Sequence, residues 1–240
     1  MSALACVNAI WRVPLILSLT AVMATLGLIL SLGDEGGKRQ SSCARLWSRM
    51  VLRISRVQVQ VRGLEKLDPE GAYLFASNHL SMFDIFAILG RLPFDFRFVA
   101  KSSLFQWPFV GWHLKRAGYI RVDRRSPRKT LRAFRAAGDQ IRSGASMVIF
   151  PEGMRTWGET VAPFKRGSFL LARQTGAAIV PVTIVGSHRR LPRGSVLIRP
   201  GKMEIIIHQP IPRNSYRNLK LDALSRQVRR TVVESYRQVG

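Results

Sequence analysis

The sequence predicts an α/β domain preceded by a helical segment. Short runs of apolar and β-branched residues, which are typical of strands, alternate along most of the chain with segments in which apolar residues recur every three or four positions, as in amphipathic helices. The chain has 240 residues, enough for one good-sized hydrophobic core. Strand and helix patterns that alternate in this way are typical of a sheet flanked by helices.

The first predicted strand is Val57–Arg62, which alternates strictly between apolar and polar residues and should be half-buried. Later strands are shorter and more apolar. They are expected at residues 73–77, 96–100, 119–122, 147–150 and 179–185. Near the end of the chain we predict a hairpin that joins residues 196–198 to residues 203–207 through a turn at Pro200, Gly201 and Lys202.

Helical patterns separate most of the central strands. Ser126 followed by Pro127 predicts the start of a helix, because proline suits the first helical turn, and Ser143 with Gly144 predicts its end. The apolar stripe of that helix comprises Leu131, Phe134 and Ile141. A final helix is predicted from apolar residues at spacings of three and four, namely Leu221, Leu224, Val228, Val232 and Tyr236.

The N-terminal segment predicts a membrane anchor. Residues 13–33 contain no charged residue, and a helix of this length spans about 30 Å, the thickness of a bilayer core. A cleavable signal peptide is the alternative, but the apolar run is longer than such peptides use. Basic residues are more frequent after the run than before it, which predicts that the following domain lies on the cytoplasmic face of the membrane. Residues 43–55 read as a basic amphipathic helix, so we divide the chain into an anchor, 1–55, and a catalytic domain, 56–240.

The net charge of the chain indicates which classes of partner it binds. Lys and Arg number 38 against 14 acidic residues, a net charge of +24, which indicates either nucleic acid or an anionic membrane surface. The sequence has no basic-aromatic stacking motif and no helix-turn-helix signature, so we expect anionic membrane lipid and no nucleic acid. Cys6 and Cys43 have no metal-ligand spacing, and the four histidines are scattered, so no metal site is predicted.

The most informative stretch joins the second predicted strand to a helix. His79 and Asp84 lie five residues apart there, just after Tyr73–Ser77. On a continuous helix such residues point about 140° apart, whereas at a junction between strand and helix they can meet. The carboxylate of Asp84 would then hold one ring nitrogen of His79, and the other nitrogen would take a proton from a hydroxyl group.

Three further segments lie at strand ends, where α/β sheets carry their sites. Their sequences are Gly-Tyr-Ile-Arg-Val-Asp-Arg at 118–124, Phe-Pro-Glu-Gly-Met-Arg-Thr at 150–156 and Val-Pro-Val-Thr-Ile-Val-Gly at 180–186. Together with Asn-His-Leu-Ser-Met-Phe-Asp at 78–84, they resemble in order and spacing the sequence blocks of the glycerolipid acyltransferase family. A lysine-led stretch that begins at Lys101 is matched as well, and the resemblance covers about residues 57–190.

The resemblance implies a glycerolipid-acyltransferase-like mixed sheet flanked by helices, with an N-terminal membrane-anchoring segment. It also implies transfer of a fatty acyl group from acyl-CoA or acyl-carrier protein to the sn-2 hydroxyl of 1-acyl-sn-glycerol-3-phosphate, giving phosphatidic acid. His79 would be the general base, which typically contributes about 10²–10⁴ in rate, and Asp84 would orient it. The acyl donor is a substrate, so no cofactor is expected.

Substrate-binding residues follow from the same blocks. Arg155, Arg124 and Lys101 are the expected phosphate ligands, since guanidinium forks match phosphate oxygens. In the family, the positions of Glu152 and Gly153 help to shape the acceptor site. We therefore expect Glu152 to orient these arginines or the glycerol hydroxyls.

Two alternatives remain at this point. Ser77 and Ser81 flank His79, so a serine nucleophile competes with direct attack by the acceptor hydroxyl, although the chain lacks the Gly-x-Ser-x-Gly elbow. Met154, Thr156 and Arg121 depart from the family pattern, and Arg121 makes its block more cationic. The acceptor could therefore be another lysolipid, such as lyso-ornithine lipid.

Overall fold

A mixed sheet of seven strands forms the centre of the computed structural model, which describes residues 3–32, 37–107, 110–123, 126–157 and 159–239. The strands are β1 (Val57–Arg62), β2 (Tyr73–Ser77), β3 (Phe96–Lys101), β4 (Ile120–Val122), β5 (Ser146–Ile149), β6 (Ala178–Val185) and β7 (Gly201–Ile207). Their order across the sheet is β1-β7-β6-β2-β5-β3-β4. Five neighbouring strands, β6, β2, β5, β3 and β4, run parallel to one another. Strand β7 is antiparallel to β6 and parallel to β1.

The helices are α1 (Ala3–Leu30), α2 (Lys38–Ile54), α3 (Phe83–Arg91), α4 (Val110–Arg116), α5 (Pro127–Arg142), α6 (Leu170–Thr175), α7 (Ser187–Arg190), α8 (Arg213–Tyr216) and α9 (Leu221–Val239). Helix α5 begins and ends where the sequence predicted. Its N-cap hydroxyl, on Ser126, accepts a hydrogen bond from the Lys129 N–H at 3.5 Å, which satisfies one of the free donors of the first turn.

The six predicted single strands are confirmed, but the predicted hairpin is wrong. Residues 196–198 form no strand, and the turn at Gly201 is instead the start of β7. Strand β7 pairs with β1 along one edge and with β6 along the other. Because both edges are occupied by strands distant in sequence, no backbone hydrogen bonds remain for a hairpin partner.

Apolar layers cover both faces of the sheet. On one face, Val51 and Leu52 of α2 and the apolar side of α3 pack against Phe75 and its neighbours. On the other face, α5, α6 and α9 pack against the alternate strand residues, of which Leu74 is one. Helix α2 therefore contributes to the same core as the sheet, and the division of the chain between residues 55 and 56 stays a prediction.

Helix α1 packs along the domain through α2 and α4. Val13, Ile16 and Leu19 contact the core, while Trp47 of α2 donates a hydrogen bond to the Thr20 hydroxyl at 3.2 Å. Within the described residues, the stretch Trp11–Leu30 is long and apolar enough to cross a bilayer, with a mean hydropathy of 2.3. Only 11% of that stretch is buried inside the protein, so most of its apolar surface faces outward.

The carboxyl ends of the parallel strands lie at one edge of the sheet. The loops that follow β2, β5, β3 and β6 all leave this edge, and they carry the residues that the sequence singled out. In open α/β sheets, ligands bind at this edge. The topology therefore brings the blocks that begin at residues 78, 150 and 180, together with Lys101, to one side of the molecule.

Candidate active site

His79 and Asp84 meet directly after β2. The Nδ1 atom of His79 lies 2.9 Å from Oδ2 of Asp84, and the same oxygen accepts the backbone N–H groups of Leu80 and Ser81, each at 2.8 Å. The Asp84 carboxylate is fully buried. A carboxylate accepts hydrogen bonds only, so Nδ1 carries the proton and Nε2 is the basic nitrogen of the imidazole.

The imidazole of His79 lies flat against the ring of Phe150. The ring centroids are 3.9 Å apart and the planes differ by 16°, so Phe150 and Asp84 together fix the plane of the imidazole. The side chain of His79 keeps 12% of its surface exposed, which means that the ring is reachable from outside the protein. Sequence reasoning had given Phe150 no role, because stacking between residues of two distant loops leaves no local signal.

Glu152 supports the histidine through the backbone. One carboxylate oxygen accepts the N–H of His79 at 2.6 Å, and the other accepts the N–H of Ala162 at 2.9 Å. Only 3% of the residue is exposed. Burial raises the pKa of Glu152 to about 7, and the two hydrogen bonds lower the pKa against that effect. The expectation that Glu152 orients arginines or acceptor hydroxyls stays a prediction, and the contacts add a structural role, since each oxygen accepts one backbone N–H.

Further hydrogen bonds tie the loops together. The N–H of Thr156 donates to the carbonyl of His79 at 3.1 Å, and the Ser81 hydroxyl donates to the carbonyl of Leu191 at 2.8 Å. The side-chain amide of Asn78 exchanges two hydrogen bonds with the backbone of Ile184, at 2.9 and 2.8 Å. The blocks that begin at residues 78, 150 and 180 thus form one connected unit around His79.

The predicted phosphate ligands are only partly described. Lys101 ends β3 and Arg155 follows β5, so both lie at the edge of the sheet that carries His79. Gly153, two residues before Arg155, has a φ of 78°, a conformation that suits glycine in the tight turn after β5. Arg124 lies outside the described residues.

Arg193 is a cation of this region that sequence reasoning did not single out as a ligand. Its guanidinium lies 4.5 Å from the centre of the Trp157 ring and donates to the carbonyl of Arg155 at 2.5 Å. Arg193 therefore braces the loop that carries Arg155. The sequence offered one signal for Arg193, its place in an arginine-rich stretch. Such a stretch is just as typical of a solvated basic surface.

Two other kinds of side chain bear on the chemistry of the site, the serine hydroxyls near His79 and the residue types that can bind a metal ion. Both Ser77 and Ser81 are fully buried, and each hydroxyl donates to a backbone carbonyl, of Asn78 and Leu191 respectively. Among the described residues, no group of three His, Cys, Asp or Glu side chains is arranged to hold a metal ion.

Several known proteins are similar to this chain in sequence. A chloroplastic 1-acyl-sn-glycerol-3-phosphate acyltransferase of Arabidopsis thaliana is 31% identical over 194 residues, which is 80% of this chain and 52% of that protein. A 1-acyl-sn-glycerol-3-phosphate acyltransferase of Borreliella burgdorferi is 33% identical over 140 residues, covering 58% of this chain and 56% of the relative. The chain thus spans about half the length of the curated relatives it matches.

A solved structure supports the fold, and a family model identifies the family. The crystal structure of the 1-acyl-sn-glycerophosphate acyltransferase of Thermotoga maritima superposes with a TM-score of 0.80, covers 98% of this chain and 95% of its own, and is 23% identical, a likeness that supports the fold. The family model described as Acyltransferase matches residues 58–185, which contain all of the blocks named above except Gly186. The chain belongs to the acyltransferase family.

Proposed function

We propose that this protein transfers a fatty acyl group from acyl-CoA or acyl-carrier protein to the sn-2 hydroxyl of 1-acyl-sn-glycerol-3-phosphate, giving phosphatidic acid. The observation that carries the proposal is the hydrogen bond of 2.9 Å between His79 Nδ1 and Asp84, which leaves Nε2 as a base. The relatives named above as 1-acyl-sn-glycerol-3-phosphate acyltransferases support the choice of acceptor.

In the proposed reaction, Nε2 of His79 removes the proton of the sn-2 hydroxyl while its oxygen attacks the carbonyl carbon of the acyl thioester. The new C–O bond forms, and the tetrahedral intermediate then collapses as the C–S bond breaks. The departing sulfur takes the proton back from the imidazolium, so His79 returns to its neutral form. Asp84 stabilises the imidazolium between these two steps and holds the ring in one tautomer.

Direct attack by the acceptor is favoured over an acyl-serine intermediate. The hydroxyls of Ser77 and Ser81 are buried and donate to backbone carbonyls, so neither is available to attack a thioester. Activation of a serine would also require a hydrogen bond between its hydroxyl and a base such as His79. We therefore propose that the acceptor hydroxyl is the nucleophile.

The phosphate of the acceptor is proposed to bind Arg155 and Lys101, with Arg124 as a third ligand. Arg155 would form a bidentate pair with two phosphate oxygens, which fixes the distance between the phosphate and the sn-2 hydroxyl. Lyso-ornithine lipid remains the alternative acceptor, because Arg121 adds an exposed cation to β4. Its anionic group would be a carboxylate in place of the phosphate.

Membrane association is proposed to occur through the outward surface of α1, at the cytoplasmic face of the inner membrane. The helix is packed on α2 and α4 along its inner side, so its outer side would enter one leaflet while the domain stays at the surface. The excess of Lys and Arg gives the attraction to anionic lipid.

The test uses the full chain in vesicles with radiolabelled acyl-CoA or acyl-carrier protein as donor. The two lysolipids, 1-acyl-sn-glycerol-3-phosphate and lyso-ornithine lipid, are offered side by side, and the His79→Ala variant is the matched control. We expect labelled phosphatidic acid with at least one donor and no product above background in the variant. Acylation of lyso-ornithine lipid alone would replace the proposed acceptor, and no product from either lysolipid would overturn the function.

A further inference from the structure

A groove lies between the end of α1 and α4, away from the sheet edge that carries His79. It has a volume of about 510 Å³, within the range of about 300–1,000 Å³ that small-molecule sites occupy. Its apolar lining comes from Leu28, Ile29 and Leu32 at the end of α1 and from Trp112 of α4, and Lys115 and Arg116 of α4 also line it. Helix α4 starts near the site edge and runs toward the start of β4, so its last turn lies away from the active site.

Close packing of α1 on α4 holds the groove beside it. Gly27 of α1 approaches the His113 ring so closely that a Cβ at Gly27 would lie 3.2 Å from the ring carbon Cε1. His113 is fixed in turn by Gln40 of α2, whose side-chain amide lies 3.0 Å from Nδ1 and donates to the carbonyl of His113 at 3.2 Å. The ring of His113 is therefore held by both α1 and α2, and the groove beside this contact is a fixed feature of the fold.

The lining of the groove requires an apolar occupant. Ile29, Leu32 and Trp112 have 58%, 65% and 54% of their surfaces exposed. Exposed apolar surface is unfavourable by about 25 cal/mol per Å², so three large side chains in one groove favour a covering ligand with methylene groups. Tryptophan is also typical of the boundary between hydrocarbon and polar head groups.

The basic side chains of Lys115 and Arg116 in the groove favour a ligand with an anionic group. Lys115 and Arg116 are both exposed, and in the part of the chain that the structure describes neither has a carboxylate within ion-pair distance. Arg116 donates to the carbonyl of Ser31 at 3.4 Å, which holds its guanidinium at the end of α1. Two adjacent cations in the lining of an apolar groove match a phosphate group attached to an acyl chain.

We propose that this groove binds one anionic phospholipid of the surrounding bilayer, with an acyl chain along α1 and the phosphate on Lys115 and Arg116. The site is separate from the acyl-transfer site and does not depend on the proposed reaction. A lipid in this position would fix the end of α1 against α4, and would so link the anionic lipid content of the membrane to the seating of the domain.

The test uses the fluorescence of Trp112, because a bromine atom on an acyl chain quenches tryptophan only at short range. The full chain in a neutral detergent is titrated with phosphatidylglycerol that carries a dibrominated chain, and separately with the equivalent phosphatidylcholine. The signal of Trp112 is the difference between the natural chain and Trp112→Phe. We expect phosphatidylglycerol to quench this difference signal, with half-saturation at a concentration about fivefold or more below that of phosphatidylcholine.

Two double variants test whether the binding of phosphatidylglycerol depends on the cations of the groove. Lys115→Gln with Arg116→Gln is expected to raise the half-saturating concentration of phosphatidylglycerol by about tenfold. The control, Lys129→Gln with Arg132→Gln, removes two exposed cations from α5. We expect it to change the half-saturating concentration of phosphatidylglycerol by less than about twofold. Absence of quenching at Trp112 would overturn the site. Equal quenching by both lipids, unchanged in Lys115→Gln with Arg116→Gln, would overturn the anionic lipid as its ligand.

Discussion

The contacts of Glu152 give the most specific prediction about how the site is held together. In Glu152→Gln, one carboxylate oxygen becomes an amide NH₂ group, which donates hydrogen bonds and does not accept them. The N–H of either His79 or Ala162 then faces a second donor. A buried N–H that loses its acceptor costs about 1–3 kcal/mol.

If this free energy displaces the His79 loop from its productive geometry, kcat falls by about 5-fold to 150-fold. The KM for the lysolipid should change by less than about threefold, because the contacts that Glu152 makes are to the backbone N–H groups of His79 and Ala162. Steady-state kinetics with varied acceptor, at a saturating concentration of acyl donor, separates these two constants.

The matched control is Glu159→Gln, the same change at an exposed carboxylate that pairs with Arg189. A surface ion pair is worth about 0–1 kcal/mol, so kcat should stay within about twofold of the natural chain. A KM that rises by about tenfold in Glu152→Gln, with kcat unchanged, would refute the backbone role and restore the expectation that Glu152 contacts the acceptor.

Stability should depend on pH through the same residue. Burial, the largest cause, raises the pKa of Glu152 from 4.5 to about 7 in the folded state. The folded protein therefore binds this proton more tightly than the unfolded chain does, so the stabilising contribution is complete below 4.5 and is lost as the pH rises through about 7. The loss is at most about 3 kcal/mol. The melting temperature of the natural chain, relative to Glu152→Gln, should fall between about pH 5 and about pH 8, and a constant difference would contradict the raised pKa.

Three further substitutions test other parts of the site. Asp84→Asn should lower kcat by about 10²-fold or more, because a neutral amide does not stabilise the imidazolium of His79; a kcat close to that of the natural chain in a steady-state assay would argue against this pairing. Arg155→Ala should raise the KM for the phosphorylated acceptor by about 10-fold to 100-fold, with Arg155→Lys in between, and an unmoved KM would remove Arg155 from the phosphate site. Asn78→Ala should lower the free energy of unfolding by about 2–4 kcal/mol, because it leaves the Ile184 N–H and carbonyl without their buried partner; a melting temperature that does not change would speak against these bonds.

Much of the fold was accessible from the sequence because its strands are locally encoded. The alternation in Val57–Arg62 and the apolar run in Tyr73–Ser77 each identify a strand without reference to the rest of the chain. The pairing of β7 was not accessible in this way. Its partners, β1 and β6, are distant in sequence, and a turn at Gly201 followed by an apolar run reads locally as the second arm of a hairpin.

For the site, the sequence identified the pair of His79 and Asp84 but not the backbone contacts of Glu152 that support it. His79 and Asp84 are near in sequence and belong to one loop, so their contact follows from the junction between strand and helix. Glu152 acts on the backbone N–H of His79, and a backbone group has no residue type that a sequence could reveal. Arg193 was obscured for a different reason, since the chain carries 38 Lys and Arg and one more cation gives no distinct signal.

The role of His79 is tested most directly by the turnover number of His79→Ala in vesicles, measured at saturating donor and acceptor with the amount of vesicle-bound protein held equal. Loss of the general base predicts a kcat lower by about 10²–10⁴-fold, with binding to the vesicles unchanged because α1 is intact. A kcat within about threefold of the natural chain would mean that the imidazole does not take the proton of the acceptor hydroxyl, and the proposed chemistry would be wrong.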